Sequence, residues 1–318
     1  MPEFHSIQMN TRVHTSGLNA PDASRIFEWM TETESRFSRF LVSSELYQVN
    51  QSPNLPVTVS PRFAELLFEA LRFYSETGGI FNPFLGDVLQ ELGYDRSFEK
   101  MDRLHARRAP GIRPASSEKV AFEFDIEKRN VNLHSGCSLD FGGIAKGWAV
   151  QKSALALIHD GRSKGMINAG GDIMCWSDER CLKPWVIDIA HPFSDDKKIG
   201  RLNLRAGRFG VATSSTIKRS WSDGHHRFHH LIDPRTALPS ESDIIQATAL
   251  GTELLPCEIY AKCLLIMGSR CGPAWLEARR SDLAYVFIDK QGEVIASPNL
   301  NEICINEHLP DKLSFPLK

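Results

Sequence analysis

No apolar run in this chain approaches the roughly 18–20 residues that a helix needs to cross a bilayer. The opening stretch, MPEFHSIQMNTRVHTSG, has none of the apolar core of a secretory leader, so the chain reads as cytoplasmic. Surplus basic charge is missing too. The 37 Lys and Arg face 39 Asp and Glu, a formal net charge of −2, which excludes a global field for nucleic acid. The seven cysteines are odd in number and form no C-x-x-C pair, so neither a zinc site nor a disulfide framework is indicated. Most of them read as small buried hydrophobes.

What is present is ordinary for a globular protein: 42% hydrophobic and 24% charged residues over a length of 318. That length is ample for a core, and one domain over residues 1–318 is expected. The densest pattern lies at 137–175. A short apolar run ends in Asp140, Gly142 and Gly143 turn the backbone, and a helix opens at Ala145-Lys146. A second apolar run then reaches Asn168-Ala169-Gly170-Gly171-Asp172. Glycine lets a backbone approach a ligand closely, a helix start favours phosphate, and Lys146 adds a positive charge. The plain alternative is a pair of tight turns.

Elsewhere the patterns predict a strand at 4–13, a helix at 20–33 capped by Asp22, and a helix at 60–76 with Ser60 as cap and Pro61 at its first position. Residues 103–118, rich in Arg, Pro and Ser, read as an exposed loop. Hairpins are expected at 120–133, 202–213 and 284–296, a strand at 185–190 and another at 244–250. A helix over 258–267 should close at Gly268, and the tail from Asn299 should pack loosely. WSDGHHRFHH at 221–230 holds four histidines, but their spacing matches no metal-ligand pattern. His230, three residues before Asp233, could sit beside that carboxylate and take a proton near neutral pH.

Four motifs in this order, DFGGIAKGWAV, NAGGDI, ATSS and HLIDPRTALP, resemble the ApbE family, the FAD:protein FMN transferases. The family's usual forms are D-x-G-G-I-A-K-G, N-A-G-G-D, A-T-S-G and H-x-x-D-P-R-T-G. The segments FSRF at 37–40 and SELYQVN at 44–50 are also similar to family segments. The resemblance implies an α+β fold with a mixed, mainly antiparallel sheet and packed helices. It implies FAD as the flavin source, Mg²⁺ as metal, and an acceptor flavoprotein modified at Thr or Ser through a phosphoester. It assigns Asn50, Gly142, Gly143, Lys146, Asn168, Gly170, Gly171, Asp172, Thr213 and Ser214 to the flavin. His230 and Asp233 would serve the acceptor hydroxyl, and Ala145, through its carbonyl, and Glu258 the metal.

The chain also departs from the family. Asn82, Gln151, Ser215 and Ala237 stand where Asp, Asp, Gly and Gly are usual. Glu258 and Lys262 occupy the places of an Asp and a Thr that ligate Mg²⁺. Glu is still an oxygen ligand, whereas a charged Lys has no lone pair. Either Lys262 takes over part of the metal's charge in catalysis, or FAD binding survives while transfer is weak or lost. The alternatives are then a flavin-binding carrier or assembly factor, or an FAD pyrophosphatase giving FMN and AMP.

Overall fold

The stretch expected as one strand at 4–13 is two. β1 (Glu3–Gln8) and β2 (Thr11–Ser16) form a hairpin, with Met9 and Asn10 at φ 50° and 53°. Two consecutive positive φ values make the primed turn that matches strand twist. Met-Asn is not its usual Asn-Gly, which hides it in the sequence. The computed structural model describes residues 2–101, 122–178, 184–222 and 227–314. The expected loop at 103–118, and His225 and His226 of the histidine-rich stretch, lie outside the described residues.

Next come α1 (Ala20–Phe37), α2 (Glu45–Asn50), β3 (Val57–Thr58), α3 (Pro61–Glu76), α4 (Gly86–Glu91), β4 (Phe122–Asp125) and β5 (Asn130–Leu133). The central region holds α5 (Ala145–His159), β6 (Lys164–Ala169), β7 (Asp172–Ser177), β8 (Val186–His191), β9 (Ser194–Leu204) and β10 (Gly207–Ser215). Four short strands follow: β11 (Ser220–Ser222), β12 (Arg227–His229), β13 (Ile232–Asp233) and β14 (Leu238–Pro239). The chain ends with β15 (Ile244–Gly251), α6 (Leu254–Arg280), β16 (Ala284–Asp289), β17 (Val294–Ala296), α7 (Leu300–Ile303) and β18 (Cys304–His308). Asn19, not Asp22, accepts the first-turn N–H of α1, that of Asp22 itself, at 2.8 Å. Asp22 is buried and bonded instead to Arg162, at 2.6 Å. Ser60 and Pro61 start α3 as predicted.

Two compact units divide the chain, one of residues 1–29, 146–218 and 241–318, the other of 30–145 and 219–240. The first holds an eight-stranded sheet in the order β1-β2-β6-β7-β10-β15-β16-β17 and a smaller sheet β18-β9-β8. Their described pairings are antiparallel throughout. The hairpin expected over 202–213 does not form. β9 is flanked by β8 and β18, and β10 by β7 and β15, so neither strand has a free edge for the other. The tail is likewise not loose: Leu300, Ile303 and Cys304 are buried with Ile187, Ile189, Leu202, Val211 and Val286 in one apolar cluster.

The opposite face of β10 and β15 carries Gly210, Ala212, Ala247 and Ala249, and α6 packs on these two strands. Small residues are required there. A Cβ on Gly210 would stand 2.4 Å from the Leu254 backbone. α6 breaks where expected, at Gly268 (φ 76°, ψ 170°), and a further helical segment follows to Arg280. The break is clamped. Ser242 donates its hydroxyl to the Leu265 carbonyl, and Asp243 accepts the Ser269 N–H at 2.9 Å and the Ser269 hydroxyl.

The second unit holds α2, α3, α4, the sheet β3-β5-β4 and the hairpins β11-β12 and β13-β14. One of its cores joins Leu89 and Leu92 to Trp221, Phe228 and Ile232. Another sets the Phe141 ring edge-on to Phe37 and Phe63, at 5.8 and 5.4 Å between centroids. The run ending in Asp140 is not a strand. Its backbone bonds go to the Asn50 side chain, to Pro83 and to Gly86 instead of to a neighbouring strand.

Burial alone would raise the Asp243 carboxyl, but hydrogen bonds from the Ser269 side chain and backbone and from its own backbone, with the Lys290 charge, outweigh it and hold the group below its ordinary value. A depressed carboxyl contributes stability above its unfolded pKa and loses it as pH falls through the folded value. Asp243→Asn should therefore lower the melting temperature at neutral pH and narrow its gap to the wild type below pH 3.8. Thermal melts across that range check this, and equal melting temperatures at neutral pH would remove the clamp.

Candidate active site

Four charged side chains from three elements meet in the first unit. Lys146 lies in the first turn of α5, Asp172 opens β7, and Glu258 and Lys262 stand one turn apart on α6. Lys146 Nζ bonds Asp172 Oδ2 and lies 3.6 Å from Glu258 Oε1. Lys262 Nζ donates to Glu258 Oε1 at 3.0 Å and to the Glu258 carbonyl at 3.2 Å. Glu258 is fully buried. Its second oxygen, Oε2, accepts the Gly147 N–H at 2.9 Å, one of the orphan donors at the start of α5. The return contact runs from α6 to α5: the Leu255 N–H donates to Gln151 Oε1 at 2.8 Å. Each helix thus caps the start of the other. Gln151, which departs from the usual Asp, still serves because an amide oxygen accepts as a carboxylate does.

Asp172 is held at the glycine turn between β6 and β7. Gly170 and Gly171 have φ 65° and 102°, and the Asn168 side chain accepts the Gly171 N–H at 2.9 Å. Asn168, expected at the flavin, thus closes this turn. A strand alternates its side chains between faces. In the register Ala212↔Asp172, Ser214 falls on the Asp172 side of the sheet and Thr213 on the other. There the Thr213 hydroxyl pairs with that of Thr248 at 2.9 Å. The sequence assigned Thr213 and Ser214 to one ligand; the structure sends them to opposite faces.

The remaining candidates belong to the second unit. Asn50 bonds the Leu139 backbone through both ends of its amide, at 2.8 and 2.9 Å, and so substitutes for a neighbouring strand. Asp140 accepts the Gly142 N–H at 2.9 Å and binds Arg39 Nε at 2.7 Å. Arg39 lies over the rings of Phe40 and Tyr94, at 4.2 and 4.7 Å. Gly142 is exposed, Gly143 half-buried, and Ala145 buried at the start of α5. His230 is half-buried just past β12, its Nδ1 3.4 Å from the Arg219 carbonyl. Its neighbour His229 is buried. His229 Nδ1 accepts the Leu231 N–H at 3.3 Å, so its proton sits on Nε2, which donates to the Ser240 carbonyl at 3.0 Å.

Asp233, expected at the acceptor hydroxyl, is bonded by the Arg235 guanidinium, with Nη2 at 2.7 Å, and accepts the Arg235 N–H at 2.9 Å. Its carbonyl also takes the N–H of Ala237 at 2.9 Å, and Ala237 keeps a positive φ of 56° without being glycine.

The donors around Glu258 do not fit a divalent cation. Both ammonium groups lie on Oε1, the Gly147 N–H on Oε2, and Lys262 offers no lone pair. Among the described residues, no group of three or more His, Cys, Asp or Glu is placed to hold a metal ion. The described cysteines are free, and burial pushes the Cys175 thiol up to about 12.

A family model described as ApbE family matches residues 7–287. The chain belongs to the ApbE family. Its relatives include proteins named FAD:protein FMN transferase. That of Vibrio cholerae is 27% identical over 258 residues, covering 79% of this chain and 75% of the relative. That of Klebsiella pneumoniae is 26% identical over 285 residues, covering 86% and 84%. The crystal structure of the ApbE protein from Thermotoga maritima superposes with a TM-score of 0.82 at 24% identity, over 95% of this chain and 98% of that one. The flavin transferase ApbE from Vibrio cholerae gives 0.73 at 22% identity, over 95% and 99%. These likenesses establish the α+β fold.

Within this ApbE fold, the Arg39–Asp140 pair, the contact of Gly147 with Glu258 and the capping role of Gln151 escaped the sequence reading. The signal for Gly147 was available, because a glycine directly after the motif lysine has no helical purpose of its own. A Cβ there would lie 2.3 Å from Glu258 Oε2. Gly→Ala inside a helix normally stabilises by about 1 kcal/mol. Gly147→Ala should instead destabilise by roughly 3 kcal/mol, because it displaces a buried, paired carboxylate. Chemical denaturation measures the difference, and a more stable variant would contradict the cap.

Proposed function

We propose that this chain transfers the FMN moiety of FAD to a Thr or Ser hydroxyl of an acceptor flavoprotein. The observation that carries the proposal is the meeting of Lys146 and Asp172 at the start of α5, on the face of the sheet that Ser214 shares. A helix start and an ammonium suit the phosphates of a dinucleotide. ApbE membership over 7–287 and the activity named for the relatives support it. The family match includes residues of both units, which supports one functional domain over 1–318.

In the transfer, the acceptor hydroxyl oxygen bonds the phosphorus of the FMN half. The P–O bond to the AMP half breaks, AMP leaves with that electron pair, and the hydroxyl proton passes to a base. His230 is the residue proposed for the proton, because an imidazole nitrogen can accept one as a general base. Lys146 offsets phosphate charge, since phosphoryl transfer rests on positioning and charge neutralisation. Gly142, Gly143, Gly170 and Gly171 are proposed to face the flavin nucleotide. Asn50, Asn168 and Asp233 act by holding the segments that carry these groups. Ser214 is the hydroxyl proposed for the cofactor, and Thr213 supports the sheet from the other face. The Mg²⁺ that the resemblance implies is assigned no step, because the groups around Glu258 do not fit it.

FAD incubated with the protein and an extract containing its acceptor should give a fluorescent flavin band on a denaturing gel and AMP in equal amount. Free FMN with AMP and no labelled band would mean hydrolysis, and bound FAD without AMP a binding protein. His230→Ala should lower turnover about 10²- to 10⁴-fold and leave the FAD dissociation constant nearly unchanged. Unaltered turnover would exclude His230 as the base.

A further inference from the structure

We propose that Lys262 supplies, as part of the chain, the positive charge that a divalent cation would otherwise bring to Glu258, so that the flavin chemistry here runs without a bound divalent ion. The inference rests on the transferase reading for its chemistry and on the ionic cluster alone for its structure.

A carboxylate offers about four lone-pair sites. At Glu258 two are engaged, by Lys262 and the Gly147 N–H, and the Lys146 ammonium stands beside Oε1 at 3.6 Å. An oxygen-ligated Mg²⁺ or Ca²⁺ would sit roughly 2.0–2.6 Å from a carboxylate oxygen. On Oε1 that ion would contend with the ammonium held at 3.0 Å. The Glu258 carbonyl is engaged by the same Nζ, at 3.2 Å.

Charge leads to the same conclusion. Lys146 and Lys262 cancel Asp172 and Glu258, so the cluster is neutral as built. The start of α5, which abuts Glu258, adds partial positive charge. A divalent ion added to the intact cluster would leave its whole charge uncompensated beside a fully buried residue. Replacing the ammonium with a hydroxyl reverses the balance. Lys262→Thr leaves one net negative charge and adds an oxygen donor one helical turn from Glu258, on the same face. That variant should call for a cation.

The test is a Mn²⁺ titration followed by electron paramagnetic resonance, on the full chain without FAD. Wild type and Lys262→Arg should leave the Mn²⁺ signal of the free ion undiminished. Lys262→Thr should bind Mn²⁺ at least about tenfold more tightly, and Mg²⁺ should compete and raise its melting temperature. In parallel, wild-type cleavage of FAD in EDTA should stay within about twofold of its rate in Mg²⁺.

One Mn²⁺ bound per wild-type chain as tightly as by Lys262→Thr would overturn the proposal, as would cleavage abolished by EDTA. Should Lys262→Thr fail to fold, the wild-type titration still decides. Should FAD be left uncleaved in every condition, the transferase reading fails, while the Mn²⁺ titration continues to decide whether Lys262 fills the cation's place.

Discussion

A carboxylate with no exposure to water must have its charge answered on every side, and Glu258 is answered by two ammonium groups and a helix N–H. Leaving such a group uncompensated costs several kcal/mol. The cost ties three elements together. α5 must present Gly147 without a side chain, α6 must bring Glu258 and Lys262 to the same spot, and β7 must hold Asp172 against Lys146. Gln151 completes the arrangement by capping α6 from α5. Two helix starts, each with orphan donors, are thus satisfied by each other's side chains instead of by water.

The close approach has its own requirements along the sheet. Gly210, Ala212, Ala247 and Ala249 keep one face of β10 and β15 flat enough for the first half of α6. The break at Gly268, fixed by Ser242 and Asp243, ends that half where the sheet ends its support. The opposite face carries the large apolar residues that join the sheet to β8, β9 and α7. One strand pair therefore serves two different layers, with small residues on one side and branched ones on the other.

In the second unit, several motif residues act on the backbone. Asn50 takes both backbone groups of Leu139, Asp140 holds Arg39 and Gly142, and Asp233 gathers Arg235 and the turn that ends in Ala237. Backbone groups that lack a strand partner must still be satisfied. Here short polar side chains do it, which fixes Leu139 and Asp140 ahead of the Gly142-Gly143 turn without placing them in a sheet. The expectation that such residues touch a ligand directly overlooked this use of the same chemistry.

The sequence by itself determined the family, the α+β class, and most helices and strands. Local signals suffice for these: Ser60-Pro61 at the start of α3, the apolar positions of α5, and the apolar run that becomes β6. It also singled out Lys146, Asp172, Glu258 and Lys262, each for a role of its own. What only the tertiary structure decided is which of them bond. Lys146 and Glu258 are over a hundred residues apart, and the pairing of Glu258 with Gly147 follows from helix packing that no local pattern encodes. The faces taken by Thr213 and Ser214, the pairing of β9 with β18 and the mutual capping of α5 and α6 are likewise long-range choices. They were settled by strand register and by burial, because these decide which polar groups lose water and must find each other.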